Sequence, residues 1–172
     1  YTKVGFINMT GVECANLVKN KKILSIFDVT PLRPIACTKI GLALPIYYSE
    51  ELNIKFLKDI KAIFCSSKWI IYWKSKRLEG SDNVSNTFKR KQSKIIGGHL
   101  IKVDPDIAAS SLIELSDSVI SMPFSSPTVI ANYKNIPCCY YDSLGQVKHT
   151  DNRGIPLLKN TLELKKWSSS IE

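Results

Sequence analysis

The sequence predicts a doubly wound α/β domain with a mostly parallel, Rossmann-like sheet, and three observations carry that prediction. Strand-like and helix-like segments alternate along the chain. The strand-like segments are continuously apolar instead of alternating, as strands covered by helices on both faces must be. A Ser- and Pro-rich break, Pro123-Phe-Ser-Ser-Pro127, turns one strand directly into a helix. The length, 172 residues, suits one domain. Residues 22–172 are expected to form it, with residues 1–21 as a linker or N-terminal extension.

Val4 to Asn8 reads as a strand or an extension, and Glu13 to Lys19 as a short helix. Ile23 to Val29 is a buried-strand run of branched and aromatic residues that ends at Thr30-Pro31. Leu32 to Ser49 holds Pro34, Gly41 and Pro45 and reads as a long loop. Ser49 is the expected N-cap of a helix in which Ile54, Leu57, Ile60, Ile63 and Phe64 recur at helical spacing. Trp69 to Trp73 is a second apolar strand that runs into Lys74-Ser-Lys-Arg77. Gly80 to Asn83 reads as a turn, Thr87 to Lys94 as a short basic helix, Gly97-Gly98 as a turn and His99 to Val103 as a third strand.

Asp106 to Ser116 is predicted helical, with Ile107, Leu112, Ile113 and Leu115 inward and Asp104 or Asp106 as its cap. Strand Ser118 to Met122, helix Thr128 to Tyr133 and strand Pro137 to Tyr141 follow. A polar loop over 142–154, a short strand from Leu157 and a terminal helix over Leu162 to Trp167 complete the order. Ligands of such sheets bind at the carboxyl ends of the strands.

The net charge of +9 admits nucleic acid, anionic surfaces or phosphorylated ligands as partners. The basic residues are scattered and lack interleaved aromatics, which argues against nucleic acid. No run approaches the roughly 18 apolar residues of a membrane span. Five cysteines without metal spacing read as reduced, cytosolic thiols, with Cys138 and Cys139 on opposite faces of a strand. His99 and His149 lie too far apart to suggest a metal site, and neither metal nor cofactor is expected. The dinucleotide and P-loop glycine motifs are absent. A start at Tyr1 instead of Met is what a fragment of a longer protein would show.

The chemistry centres on 116–131. A helix start gathers unpaired N–H groups and the positive end of the helix dipole. Pro127 suits the first helical position and Ser126 the N-cap. Hydroxyls of Ser125 and Ser126 beside free N–H groups suit a phosphate. Lys74, Lys76 and Arg77, at another strand's carboxyl end, can meet a diphosphate or form only a basic surface turn. Asp28 and Asp142 can accept ribose or sugar hydroxyls or cap helices. Rings of Tyr47-Tyr48 and Tyr140-Tyr141 can pack in the core or stack on a nucleobase.

Ser121-Met-Pro-Phe-Ser-Ser-Pro127, Ile130-Ala131 and Ile136-Pro-Cys-Cys-Tyr-Tyr-Asp142 resemble the bacterial surface-polysaccharide biosynthesis family named for its Pro-Phe-Thr-Ser motif. Here the motif reads Pro123-Phe-Ser-Ser126, with Ser keeping the hydroxyl of Thr. Gly154-Ile-Pro-Leu-Leu-Lys-Asn160, Leu162-Glu-Leu-Lys-Lys-Trp167 and Lys74-Ser-Lys-Arg77 extend the resemblance over roughly residues 22–170. It implies a GT-B-type glycosyltransferase, whose carboxyl-terminal domain holds a nucleotide-sugar donor, often without metal. Transferases of CMP-activated sugars place Ser or Thr loops on the phosphate, so Phe124, Ser125 and Ser126 match a donor site. Lys74, Lys76 and Arg77 would line the same cleft. A glycan or lipid-linked acceptor, an amino-terminal domain carrying the base or nucleophile, and a cytoplasmic or peripheral inner-membrane location are implied with it. The chain alone is then expected to be inactive. The competing readings are a non-catalytic binding or scaffold module of a polysaccharide-assembly complex and a stand-alone enzyme such as a nucleotide-sugar epimerase.

Overall fold

A computed structural model describes residues 21–29, 31, 47–64, 68–75, 84–148 and 152–171. The elements run β1 (Lys22–Phe27), α1 (Glu50–Phe64), β2 (Trp69–Lys74), α2 (Asn86–Ser93), β3 (Leu100–Lys102), α3 (Ala109–Glu114), β4 (Ser118–Ser121), α4 (Ser126–Tyr133), β5 (Cys138–Tyr141), β6 (Leu157–Leu158) and α5 (Thr161–Ser170). The strands form one six-stranded sheet in the order β3-β2-β1-β4-β5-β6. Every pairing is parallel. The expected doubly wound α/β fold is the one observed.

The continuous apolar strands divide their side chains between two cores, because successive side chains leave a strand on opposite faces. Leu24, Ile26, Ile71, Trp73, Ile120, Met122, Cys139 and Tyr141 face α1 and α5, where Phe56, Ile60 and Leu164 close the layer. Ile23, Phe27, Ile70, Tyr72, Val119, Cys138 and Tyr140 face α3 and α4, meeting Leu112, Ile113 and Ala131. Each large apolar side chain removed from water in this way contributes about 1.5–3 kcal/mol. The expected split of Cys138 and Cys139 is seen here.

Ser49 caps α1 as expected, its Oγ accepting from Leu52 N at 3.1 Å. The buried face of α1 is rotated from the expected one. Leu52, Asn53, Phe56, Leu57, Ile60 and Phe64 are buried, while Ile54 and Ile63 are only partly covered. Helix α3 is shorter than predicted. Asp104 Oδ1 accepts from Asp106 N at 2.8 Å, a local turn that delays the helix, and Ala108 caps it without a side-chain bond. Gly97 and Gly98 form the expected turn, with φ of 120° and 66°. At the other end, Asn160 accepts from Glu163 N at 2.9 Å while Glu163 Oε2 accepts from Lys159 N at 2.7 Å, a reciprocal cap for α5.

Candidate functional site: the crevice between β1 and β4

The chain winds outward from β1 through β2 to β3, then returns to place β4 on the other side of β1. The direction of winding therefore reverses between β1 and β4. At such a point the two flanking loops diverge and leave a crevice at the strands' carboxyl ends. Asp28 follows β1 there, and Met122 to Ser125 joins β4 to α4.

The β4–α4 loop is tightly held. Phe124 adopts φ of 61°, a left-handed conformation that costs a non-glycine residue about 1–2 kcal/mol. Tyr48 Oη donates to the Pro123 carbonyl at 2.8 Å, and Tyr140 Oη reaches the Ser125 carbonyl at 3.4 Å. Val29 N donates to Met122 Sδ at 3.3 Å. The expected cap shifts by one residue. The helix begins at Ser126, Ser125 is the N-cap, and the Ser125 hydroxyl makes no cap bond. It donates instead to the Met122 carbonyl at 3.0 Å. The N–H groups of Ser126 and Thr128 belong to the first turn, which has no intrahelical acceptors, and Pro127 contributes none.

A cleft of about 430 Å³ opens here, and Asp28, Tyr48, Lys74, Phe124, Ser125 and Ser126 line it. The structure thus brings together six residues from four separate parts of the chain. Asp28 is only 3% exposed and accepts from Asn53 Nδ2 at 2.7 Å. Lys74 lines the cleft, and its Nζ donates to the Pro105 carbonyl at 2.5 Å. Lys76 and Arg77 lie outside the described residues. Phe124, 52% exposed, stands between this cleft and a second cavity of about 770 Å³. Val129, Ile130, Tyr140, Asn152 and Arg153 line that second cavity. Asn152 and Arg153 escaped the sequence reading. Arg153 and Gly154 form a turn in which both residues take positive φ.

Both carboxylate oxygens of Asp142 meet donors of the protein itself. It is fully buried, and its carboxylate accepts from Tyr47 Oη at 2.8 Å, Leu144 N at 3.3 Å and Val147 N at 2.7 Å. Asp142 therefore ties the loop after β5 to the segment before α1, and it does not line the cleft. Burial, then the hydrogen bond to Asp142, then its charge push the Tyr47 phenol well above its ordinary pKa. Burial likewise raises Tyr48. Tyr47 and Tyr48 act as anchors through their hydroxyls, one for each loop. Tyr140 packs beside Phe124, ring centroids 6.2 Å apart, and Tyr141 donates to Asp59 Oδ2 at 2.6 Å from the opposite face.

Burial pushes the Cys138 thiol up to about 11, and Cys139 is raised as well. Both stay protonated near neutral pH and are poor nucleophiles. The unpaired N–H groups at the start of α4 suit an anion, and the site shows no adjacent nucleophile–base pair among the described residues. No helix among them is long and apolar enough to cross a membrane.

Comparison with solved structures finds similarity to the C-terminal domain of a glycosyl transferase group 1 family protein (LpcC) from Francisella tularensis. The two share 11% identity over 96% of this chain and 84% of that one, with a TM-score of 0.49. Comparison with curated proteins finds no match. The family model for polysaccharide biosynthesis PFTS motif proteins matches residues 1–168, nearly the whole chain and the entire crevice. With Pro123, Phe124, Ser125 and Ser126 standing in the motif between β4 and α4, the chain belongs to the polysaccharide biosynthesis PFTS motif family.

Proposed function

We propose that this chain binds the nucleotide-sugar donor of a glycosyltransferase that builds a bacterial surface polysaccharide. The observation that carries the reading is the meeting of three features in one crevice. The start of α4 offers backbone N–H groups, Ser126 offers a hydroxyl, and the basic residue Lys74 lines the same cleft. Together they suit a phosphate or diphosphate. A leaving nucleotide gains negative charge as the glycosidic bond breaks, so donors already fixed around it assist transfer.

In this reading Lys76 and Arg77 extend the basic wall, and the donor is a CMP-, UDP- or GDP-activated sugar. The acceptor is a glycan or a lipid-linked saccharide, met at the inner membrane face. The groups that move the sugar come from an amino-terminal domain, consistent with the lack of a nucleophile–base pair among the described residues.

Calorimetric titration with CMP, UDP and GDP tests the proposal. One of the three is expected to bind, and Ser126→Ala is expected to weaken it about tenfold, the effect of losing one hydrogen bond to a charged group. Binding by none of them refutes the donor role and favours the scaffold reading.

A further inference from the structure

A chain of buried hydrogen bonds ends at the cleft. Gln92 Nε2 of α2 donates to Asn53 Oδ1 of α1 at 3.1 Å, and Asn53 Nδ2 donates to Asp28 Oδ2 at 2.7 Å. Asn53 is fully buried, and Gln92 and Asp28 are 6% and 3% exposed. Asn53 shares its helix face with Leu52, Phe56, Leu57 and Ile60, all turned inward. An amide there costs stability unless both of its ends are bonded, and an apolar residue would carry no such demand.

The direction of the chain follows from Asp28. The amide N–H₂ of Asn53 faces Asp28 and donates to its Oδ2. Asn53 Oδ1 then faces Gln92, which must donate. Two helices thus fix one side of the Asp28 carboxylate at the point where the sheet reverses. Asp28 lines the same cleft as Ser125 and Ser126. A carboxylate beside an anion site repels a second anion and accepts from hydroxyls.

We propose that Asn53, its amide set by Gln92, is a positioning residue that holds the Asp28 carboxylate in the cleft to accept hydroxyl groups of the donor's sugar. The proposal rests on the donor reading above. It adds which part of the ligand meets Asp28 and which buried residues prepare that contact.

Two measurements test it. The first needs no ligand: hydrogen exchange of the Asn53 side-chain amide, followed by NMR. Slow exchange is expected, speeding up in Asp28→Ala and Gln92→Met. Exchange as fast as that of an exposed asparagine overturns the relay.

The second compares UDP with UDP-glucose, GDP with GDP-mannose, and CMP with CMP-N-acetylneuraminate. In the pair that binds, Asn53→Leu is expected to weaken the sugar nucleotide roughly tenfold and the bare nucleotide less than about twofold. Asp28→Asn should show the same split, and the double variant should be no weaker than Asp28→Asn alone, because Asn53 acts through Asp28. Gln92→Met, at the outer end of the relay, should give a smaller loss with the same selectivity. Equal losses for both ligands, or additive losses in the double variant, overturn the positioning role while leaving the donor reading intact. Failure of the unaltered chain to bind any of the six compounds overturns the donor reading itself.

Discussion

Replacing Asp142 by alanine separates support of the site from contact with its ligand. The carboxylate is fully buried and serves three donors. Val147 is buried, so its N–H would lose its acceptor without replacement by water, at about 1–3 kcal/mol. Tyr47 Oη and Leu144 N are half-buried and can recruit water, so each contributes about 0.5–1 kcal/mol. The expected loss is therefore about 2–5 kcal/mol. With a urea slope of about 2 kcal/mol per molar, the unfolding midpoint should fall by about 1–2.5 M. Asp142→Asn keeps one acceptor oxygen and should lose about half as much. Urea titration followed by tryptophan fluorescence reads both variants, and calorimetry reads nucleotide affinity without denaturant. Asp142 lies off the cleft, so affinity in the folded variant should stay within about twofold. A stability loss below about 1 kcal/mol, or a tenfold loss of affinity in folded protein, would refute the role assigned to Asp142.

Three further outcomes are expected. Tyr48→Phe removes the donor to the Pro123 carbonyl and should cost about 1 kcal/mol in urea unfolding. It should also weaken nucleotide binding severalfold by loosening the β4–α4 loop, so unchanged affinity would count against the loop's involvement. Asn160→Ala removes the cap of α5 and should cost about 1 kcal/mol with no effect on nucleotide affinity. Stability should fall in alkali. Cys138 is raised from 9.0 to about 11, and Tyr47 and Tyr141 lie above 10.0, all led by burial. These groups ionise first in the unfolded chain, so the Cys138 contribution is complete below about pH 9 and is lost as pH rises through about 11, while the tyrosine contributions begin to fall only above about pH 10. A urea midpoint that stays level from pH 8.5 to 11 contradicts those environments.

The layered architecture was legible because hydrophobic pattern is a local property. Ile23 to Val29, Trp69 to Trp73 and Ser118 to Met122 are apolar on both faces, and only a sheet covered on both sides satisfies such strands. The Ser-Pro start of α4 was legible for the same reason, to within one residue. Where Ser125 and Ser126 exchange roles, the Met122 carbonyl competes for the Ser125 hydroxyl, and helical propensity says nothing about that competition. Asn53 was passed over because an amide looks like a surface residue until its partners on β1 and α2 are known.

The succession of strands and helices and the Ser-Pro loop that opens α4 follow from residue order, since neighbours in sequence suffice to create them. The strand order, the crevice between β1 and β4 and the work of the individual carboxylates depend on groups far apart in the chain. Tyr48 reaches Pro123 across 75 positions and Tyr47 reaches Asp142 across 95. Asp28 and Asp142 look alike in sequence, both at the end of an apolar strand. Packing separates them. Backbone donors and a phenol enclose Asp142, while Asp28 is held by Asn53 beside an open cleft.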